Sequence, residues 1–292
     1  MLRRINWKAV FAVFAWAVCL SGVVLLMGFI ETEKASLVCK DVKVIIPGNQ
    51  NFIERSEVDQ ILLSNGGKLV GREIRNINIQ KLEASLKANP FIRFAKVYAD
   101  MDGVIHVQIR QREPILRIIN TANLDFYVDR EGNKIPMSDN FTANVLIANG
   151  LIYEDYSGKV DTLKSKLAKD LFKTASFISA DTLWNNQIEQ LYVNQKNEIE
   201  MVPRVGNQNI ILGDGDSLEV KFNNLYMFYK KALPLVGWST YKTINIKYTN
   251  QVIGVRNPDS IKTTTVEAVK KEAMLPIDSL ENITQDTIKI NL

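Results

Sequence analysis

The groups in this chain with the means to do chemistry are few: one histidine, two cysteines, and 32 carboxylates among which spacing singles out no pair. His106 lies in the alternating stretch Val104 to Arg110, on the same strand face as Gln108 and Arg110. An imidazole there acts as a general base only with a nucleophile or acid positioned beside it, and sequence spacing supplies neither. A solvated strand histidine is the expectation. Cys19 and Cys39, with a single His, cannot assemble the usual zinc sets, and no Cys-x-x-Cys is present for redox exchange. Gly213-Asp214-Gly215-Asp216 has the composition of a calcium or phosphate loop. It lacks an EF-hand's further oxygen ligands and terminal Glu, and any Gly-Lys-Ser/Thr, so a turn capped by Asp216 or Ser217 before a helix is expected instead. The chain is read as non-catalytic, with no cofactor, no metal and no small-molecule substrate.

The elements that would position anything else begin with charge. Of the net +4, residues 1–30 carry +3 through Arg3, Arg4 and Lys8, which leaves +1 for the other residues. No large basic surface for nucleic acid is implied. From Ala9 to Ile30 no charged residue occurs, and only Ser21, Gly22 and Gly28 interrupt the apolar run. As a helix this segment spans ~33 Å, enough for the ~30 Å hydrocarbon core of a bilayer. A cleaved signal peptide has a shorter apolar region and a small-x-small site, whereas Glu31-Thr32-Glu33-Lys34 follows here. Bases before the run and acids after it predict a single-pass anchor with residues 1–8 inside the cell and residues from 31 onward exported, which for an inner (cytoplasmic) membrane protein means periplasmic or extracytoplasmic.

After a linker at 31–37, residues 38–114 read as β-α-α-β-β. A strand over Asp41–Ile46 ends at Pro47-Gly48-Asn49. A helix capped by Ser56 carries Val58, Ile61 and Leu62, and a second opened by Asn78 carries Ile79, Leu82 and Leu86. Strands at 93–99 and 104–110 flank the Asp102-Gly103 turn as a hairpin. Residues 115–256 read as a mostly antiparallel β domain with two helices, one carrying Leu163, Leu167, Leu171 and Ala175, the other Leu218, Phe222, Leu225 and Tyr229. The aromatics of the second helix are expected in the core. From residue 257 onward composition shifts to Thr, Lys, Glu and Asp without a sustained period, which predicts a mobile tail with a transient helix near Val266 to Met274. The fold class is α+β.

The run Asn89-Pro90-Phe91-Ile92-Arg93-Phe94-Ala95-Lys96-Val97, followed by Ile105 to Ile109 and Arg112-Glu113-Pro114, resembles a POTRA domain. Its spacing is similar to that of the FtsQ/DivIB family of bacterial cell-division proteins. Phe126 to Gly132 resembles the family's aromatic-Val-Asp-x-x-Gly segment, and Ile210 to Asp214, Ile244 to Tyr248 and Val252 to Arg256 resemble later parts. The resemblance implies a membrane-anchored scaffold of the divisome that acts during septation. It implies partners of the FtsB/FtsL type and other divisome components, held by β-strand addition to the last strand of the β domain. Carried over by position, the partner-binding residues are Tyr248, Asn250, Val252, Gly254 and Arg256. Here Thr249-Asn250-Gln251 stands where relatives often have a Gly in the turn, and Arg256 where an aromatic is common. Two alternatives stay open: a POTRA-containing secretion or outer-membrane assembly component, and an exported cell-wall enzyme.

Overall fold

The structure, a computed structural model, describes residues 7–35, 37–48, 51–258 and 288–291, with side chains described at 11–27, 37–48 and 51–258. It divides into two compact units, residues 1–111 and 112–292. The first opens with α1 (Trp7–Ala35). The side chains of α1 from Phe11 to Met27 are mostly apolar and exposed, Phe11 by 76% and Leu25 by 74%. Among the described residues no helix is long and apolar enough to cross a membrane.

The rest of this unit is β1 (Asp41–Ile45), α2 (Arg55–Gly66), a 3-10 turn at Ile74–Asn76, α3 (Ile79–Lys87), β2 (Ile92–Ala99) and β3 (Val104–Gln111). The sheet order is β1-β3-β2, with β1 parallel to β3 and β2 antiparallel to it. The period-two pattern of β3 decides its two faces: Ile105, Val107 and Ile109 are buried with Val58 and Leu62 of α2 and Leu82 and Leu86 of α3. His106, Gln108 and Arg110 take the opposite face. Asn78 caps α3 as expected, its Oδ1 accepting from Lys81 N at 2.8 Å. Ser56 does not cap α2. That helix starts two residues earlier, after Glu54, where buried Ile53 fixes the chain's entry by donating its N–H to Gln111 Oε1 at 3.1 Å. Gly103 takes φ +87°, and a Cβ there would lie 2.4 Å from Val38 O, so only glycine fits this hairpin turn.

The second unit contains β4 (Pro114–Ile119), β5 (Asp125–Asp129), β6 (Asn133–Pro136), β7 (Leu146–Gly150), β8 (Asp161–Thr162), α4 (Lys166–Ala180) and α5 (Thr182–Gln187). It continues with β9 (Ile188–Val193), β10 (Ile199–Pro203), β11 (Asn209–Gly213), α6 (Leu218–Lys231), α7 (Leu233–Val236), β12 (Tyr241–Asn245), β13 (Gln251–Arg256) and β14 (Ile288–Asn291). All these strands join one sheet in the order β14-β13-β12-β11-β10-β9-β7-β4-β5-β6-β8. Neighbours run antiparallel except β4 with β7, β7 with β9, and β11 with β12. Leu171, Ala175 and Ile178 of α4, Trp184 of α5 and Phe222, Leu225 and Phe228 of α6 share one core with Leu116, Phe126, Leu191, Met201, Ile210, Ile244 and Val252.

This is the α+β architecture expected, and the aromatics of α6 serve its core: the Phe222 ring sits 4.7 Å from Phe177 and 5.0 Å from Trp184. Leu163 precedes α4 rather than lying in it, because Ser165 Oγ caps the helix by accepting from Ala168 N at 3.1 Å. Ser217 does not act as a side-chain cap for α6; it takes a left-handed backbone with φ 52°. The tail also differs from the expectation, since Ile288–Asn291 form a strand. The helix expected near 266–274 falls outside the described residues.

Candidate partner-binding edge

His106 and the glycine–aspartate loop each find structural partners. His106 Nε2 lies 2.8 Å from Asp100 Oδ2, and its ring stacks on Tyr98 with centroids 5.0 Å apart. Hairpin register supplies the carboxylate that spacing did not: Tyr98 faces His106 across the ladder, which places Asp100 at the turn within reach. The hydrogen bond to His106, then that from Val104 N, holds the Asp100 carboxyl below its ordinary pKa. Such a pair orients an imidazole, but among the described residues no hydroxyl or thiol is hydrogen-bonded to the ring, and a nucleophile is what acyl-transfer chemistry would need.

The glycine–aspartate loop after β11 is also tied down. Lys221, buried in α6, donates to Asp214 Oδ1 at 2.6 Å and to Asp214 O at 3.1 Å, and the first of these bonds keeps the Asp214 pKa low. Gly215 lies so close to α4 that a Cβ would sit 2.9 Å from Asp170 Cα. Asp170 pairs with Lys166 at 2.7 Å and Lys173 at 3.5 Å. A cavity of about 350 Å³ opens here, lined by Ser165, Lys166, Asp170, Asn197 and Asp214 among others. Its carboxylates are neutralised by lysines, and among the described residues no group of three His, Cys, Asp or Glu could hold a metal.

Two buried acids are architectural. Asp129, in the Val-Asp-x-x-Gly segment, is fully buried; Oδ2 accepts from Arg112 Nη1 at 2.6 Å, and Oδ1 accepts from the N–H groups of Glu131 and Asn133. The segment's spacing thus serves the β5–β6 turn. Glu154 lies opposite Lys134, with 3.0 Å between Oε1 and Nζ and both side chains no more than 2% exposed. Its carboxylate also accepts from Lys164 N and Ser165 N at 2.9 Å, while Lys134 Nζ donates to Asp155 O at 2.8 Å. Burial pushes the Glu154 pKa up, but these donors more than offset it, and the net shift is downward. Sequence reading missed this pair because its members sit 20 residues apart on a strand and an irregular segment.

The carried-over edge residues fall on and just before β13. Tyr248 is 41% exposed at the β12–β13 connection, with Lys247 Nζ 5.2 Å from its ring centre and itself paired to Glu198 at 2.8 Å. Asn250 and Arg256 are exposed at the two ends of the strand. Val252 and Gly254 are buried and point into the domain: Val252 joins the core, and a Cβ on Gly254 would lie 2.6 Å from Tyr241 Cε1. The five residues therefore share one strand and its approach, with three side chains available to solvent and two committed to packing. One side of β13 pairs with β12, Ile244 opposing Gly254 and Asn245 opposing Ile253. The other side pairs with β14: Gln251 opposes Asn291, Val252 opposes Ile290, Ile253 opposes Lys289 and Gly254 opposes Ile288.

Comparison with known families gives two matches. A family model described as FtsQ/DivIB, C-terminal related, matches residues 113–255, from just before β4 into β13. A POTRA-like domain model matches residues 37–110, the sheet and helices of the first unit after α1. No curated protein matches the chain. The β14 segment lies beyond both matches. With a POTRA-like domain followed by a domain that matches the FtsQ/DivIB, C-terminal related model, in that order and over nearly all the described residues after α1, the two matches support the FtsQ/DivIB family for this chain.

Proposed function

We propose that this protein is a non-catalytic, membrane-anchored scaffold of the bacterial division machinery that binds an extended segment of an FtsB/FtsL-like partner along β13. The observation that carries the reading is the place of β13: it is the final strand of the family-matched segment, outermost in the sheet except for a strand that lies outside the match. A strand rim offers N–H and C=O groups that another extended backbone satisfies, with alternate side chains giving selectivity. Tyr248, Asn250 and Arg256 are exposed along that route, as are Thr249 and Val255. Four residue pairs, as on β14, amount to about four ladder bonds and ~2–6 kcal/mol. Free association costs an estimated 4–15 kcal/mol, so backbone pairing alone is insufficient. Confinement of both proteins to one bilayer raises their effective concentration and closes that gap. The anchor in this reading is Ala9 to Ile30; exposed apolar side chains from Phe11 to Met27 support it.

Depletion in the source bacterium, combined with a photo-crosslinking amino acid placed in turn at Tyr248, Asn250 and Arg256, tests the reading. Filamentous growth and adducts to membrane division proteins, with none from a control at Glu189 on β9, are expected. Normal septation on depletion, or degradation of peptidoglycan by the purified protein, would overturn it.

A further inference from the structure

The rim of β13 is already occupied by the chain's own carboxyl-terminal segment. We propose that Ile288–Asn291 is a built-in competitor for the partner strand: it pairs where the partner pairs, and the partner must displace it. The inference rests on the reading of β13 as the recruiting strand and deepens it by naming what holds that strand beforehand.

Three observations carry it. First, β14 pairs antiparallel with β13 over Gln251 to Gly254, so the N–H and C=O groups that face outward from β13 are met by the same polypeptide. Second, β14 lies outside the segment that the family match delimits, which ends at residue 255. Third, sequence and register make it a short pseudo-partner. Ile288-Lys289-Ile290-Asn291 alternates apolar and polar residues, with the isoleucines opposite the two inward-facing positions, Val252 and Gly254. The partner that fits is therefore an antiparallel extended segment of the same alternation. A covalently attached strand competes at an effective concentration on the order of millimolar, which any untethered ligand must exceed. A partner held in the same membrane is concentrated enough to do so, whereas a soluble peptide is not.

The test uses a fluorescent peptide of residues 284–292 added to the full chain in detergent and to a chain lacking residues 288–292. The shortened chain should bind the peptide about tenfold or more tightly than the full chain does, as expected from removal of a millimolar internal rival. Hydrogen exchange should show faster amide exchange at Gln251 to Gly254 on shortening, with β4 and β5 unchanged as the control for folding. If the shortened chain fails that control, the full chain carrying Ile288→Pro and Ile290→Pro replaces it as the opened form, since proline removes a ladder donor. Measurable but equal peptide affinity for closed and opened forms, or unchanged amide exchange at Gln251 to Gly254 on opening, overturns the proposal. No division protein enters either measurement. A failure of the scaffold reading would instead appear as loss of the crosslinks at Tyr248, Asn250 and Arg256 despite an opened rim.

Discussion

Replacing Lys134 by Met tests whether the Lys134–Glu154 pair holds the second unit together. Lys134 Nζ has three oxygens around it: Glu154 Oε1 at 3.0 Å, Asp155 O at 2.8 Å and Asp161 Oδ2 at 3.8 Å. Methionine keeps most of the volume and removes the charge, so Glu154 stays buried with the N–H groups of Lys164 and Ser165 and the Ser165 hydroxyl to stabilise it. Breaking a buried pair from one side costs about 3–5 kcal/mol. The two remaining backbone bonds favour the lower end, about 3 kcal/mol. The pH dependence has a definite sign. Glu154 has its folded pKa depressed below the ordinary 4.5. It therefore contributes stability that is present above about pH 4.5 and is lost as pH falls through the folded value. The variant loses that contribution, so its deficit should be largest near pH 7 and shrink below about pH 4.5 as Glu154 takes up a proton in both proteins. Adding Glu154→Gln should restore part of the loss at pH 7, because no charge is then left buried. Urea unfolding followed by fluorescence of the buried Trp184 measures this in the second unit. A loss under 1 kcal/mol at pH 7, with the same value at pH 4, would refute the reasoning.

Three further outcomes are expected. Asp129→Ala should cost about 3 kcal/mol in urea unfolding of the second unit, since it leaves the partly buried Arg112 and two turn N–H groups without their acceptor; an effect within 0.5 kcal/mol, as at an ordinary surface site, would refute the role given to that turn. Phe222→Ala should cost about 3–5 kcal/mol and shift Trp184 emission to the red, because it removes the ring between Trp184 and Phe177. His106→Ala should leave septation intact in a complementation assay, its bond to Asp100 being local to one hairpin; failure to complement by a folded variant would reopen the question of chemistry on that face.

Local patterning made most elements legible. The alternation in Val104 to Gln111 and the Asp102-Gly103 turn identify a hairpin whose ends fall within one residue of those expected. Asn78 announces α3 because its side-chain oxygen satisfies a free helical N–H. What could not be read depends on pairing across distance. Lys134 meets Glu154 only once β6 is in the sheet and the segment after β7 folds back over it. Asp100 reaches His106 through ladder register rather than sequence spacing. The edge residues were half legible: the alternation of Val252 and Gly254 marks a strand, but which face is covered depends on Tyr241 and the helices above. Ile288–Asn291 escaped notice because four residues are too few for a period, and their strand is defined by pairing with β13, far away in sequence.

The junction between β11 and β12 is parallel and rests on three residue pairs, Asn209 to Thr243 through Ile211 to Asn245. Parallel neighbours require a crossover, and here residues 214–240, with α6 and α7, provide it. The outer hairpin of β12 and β13 thus finds its place only after α6 has docked, a long closure that folds late relative to the β4–β5 and β9–β10 hairpins. On the proposed reading of β13, a nascent molecule whose crossover has not yet formed has no correctly seated strand to offer a partner. In that reading, assembly with other proteins is conditional on completed maturation of the sheet.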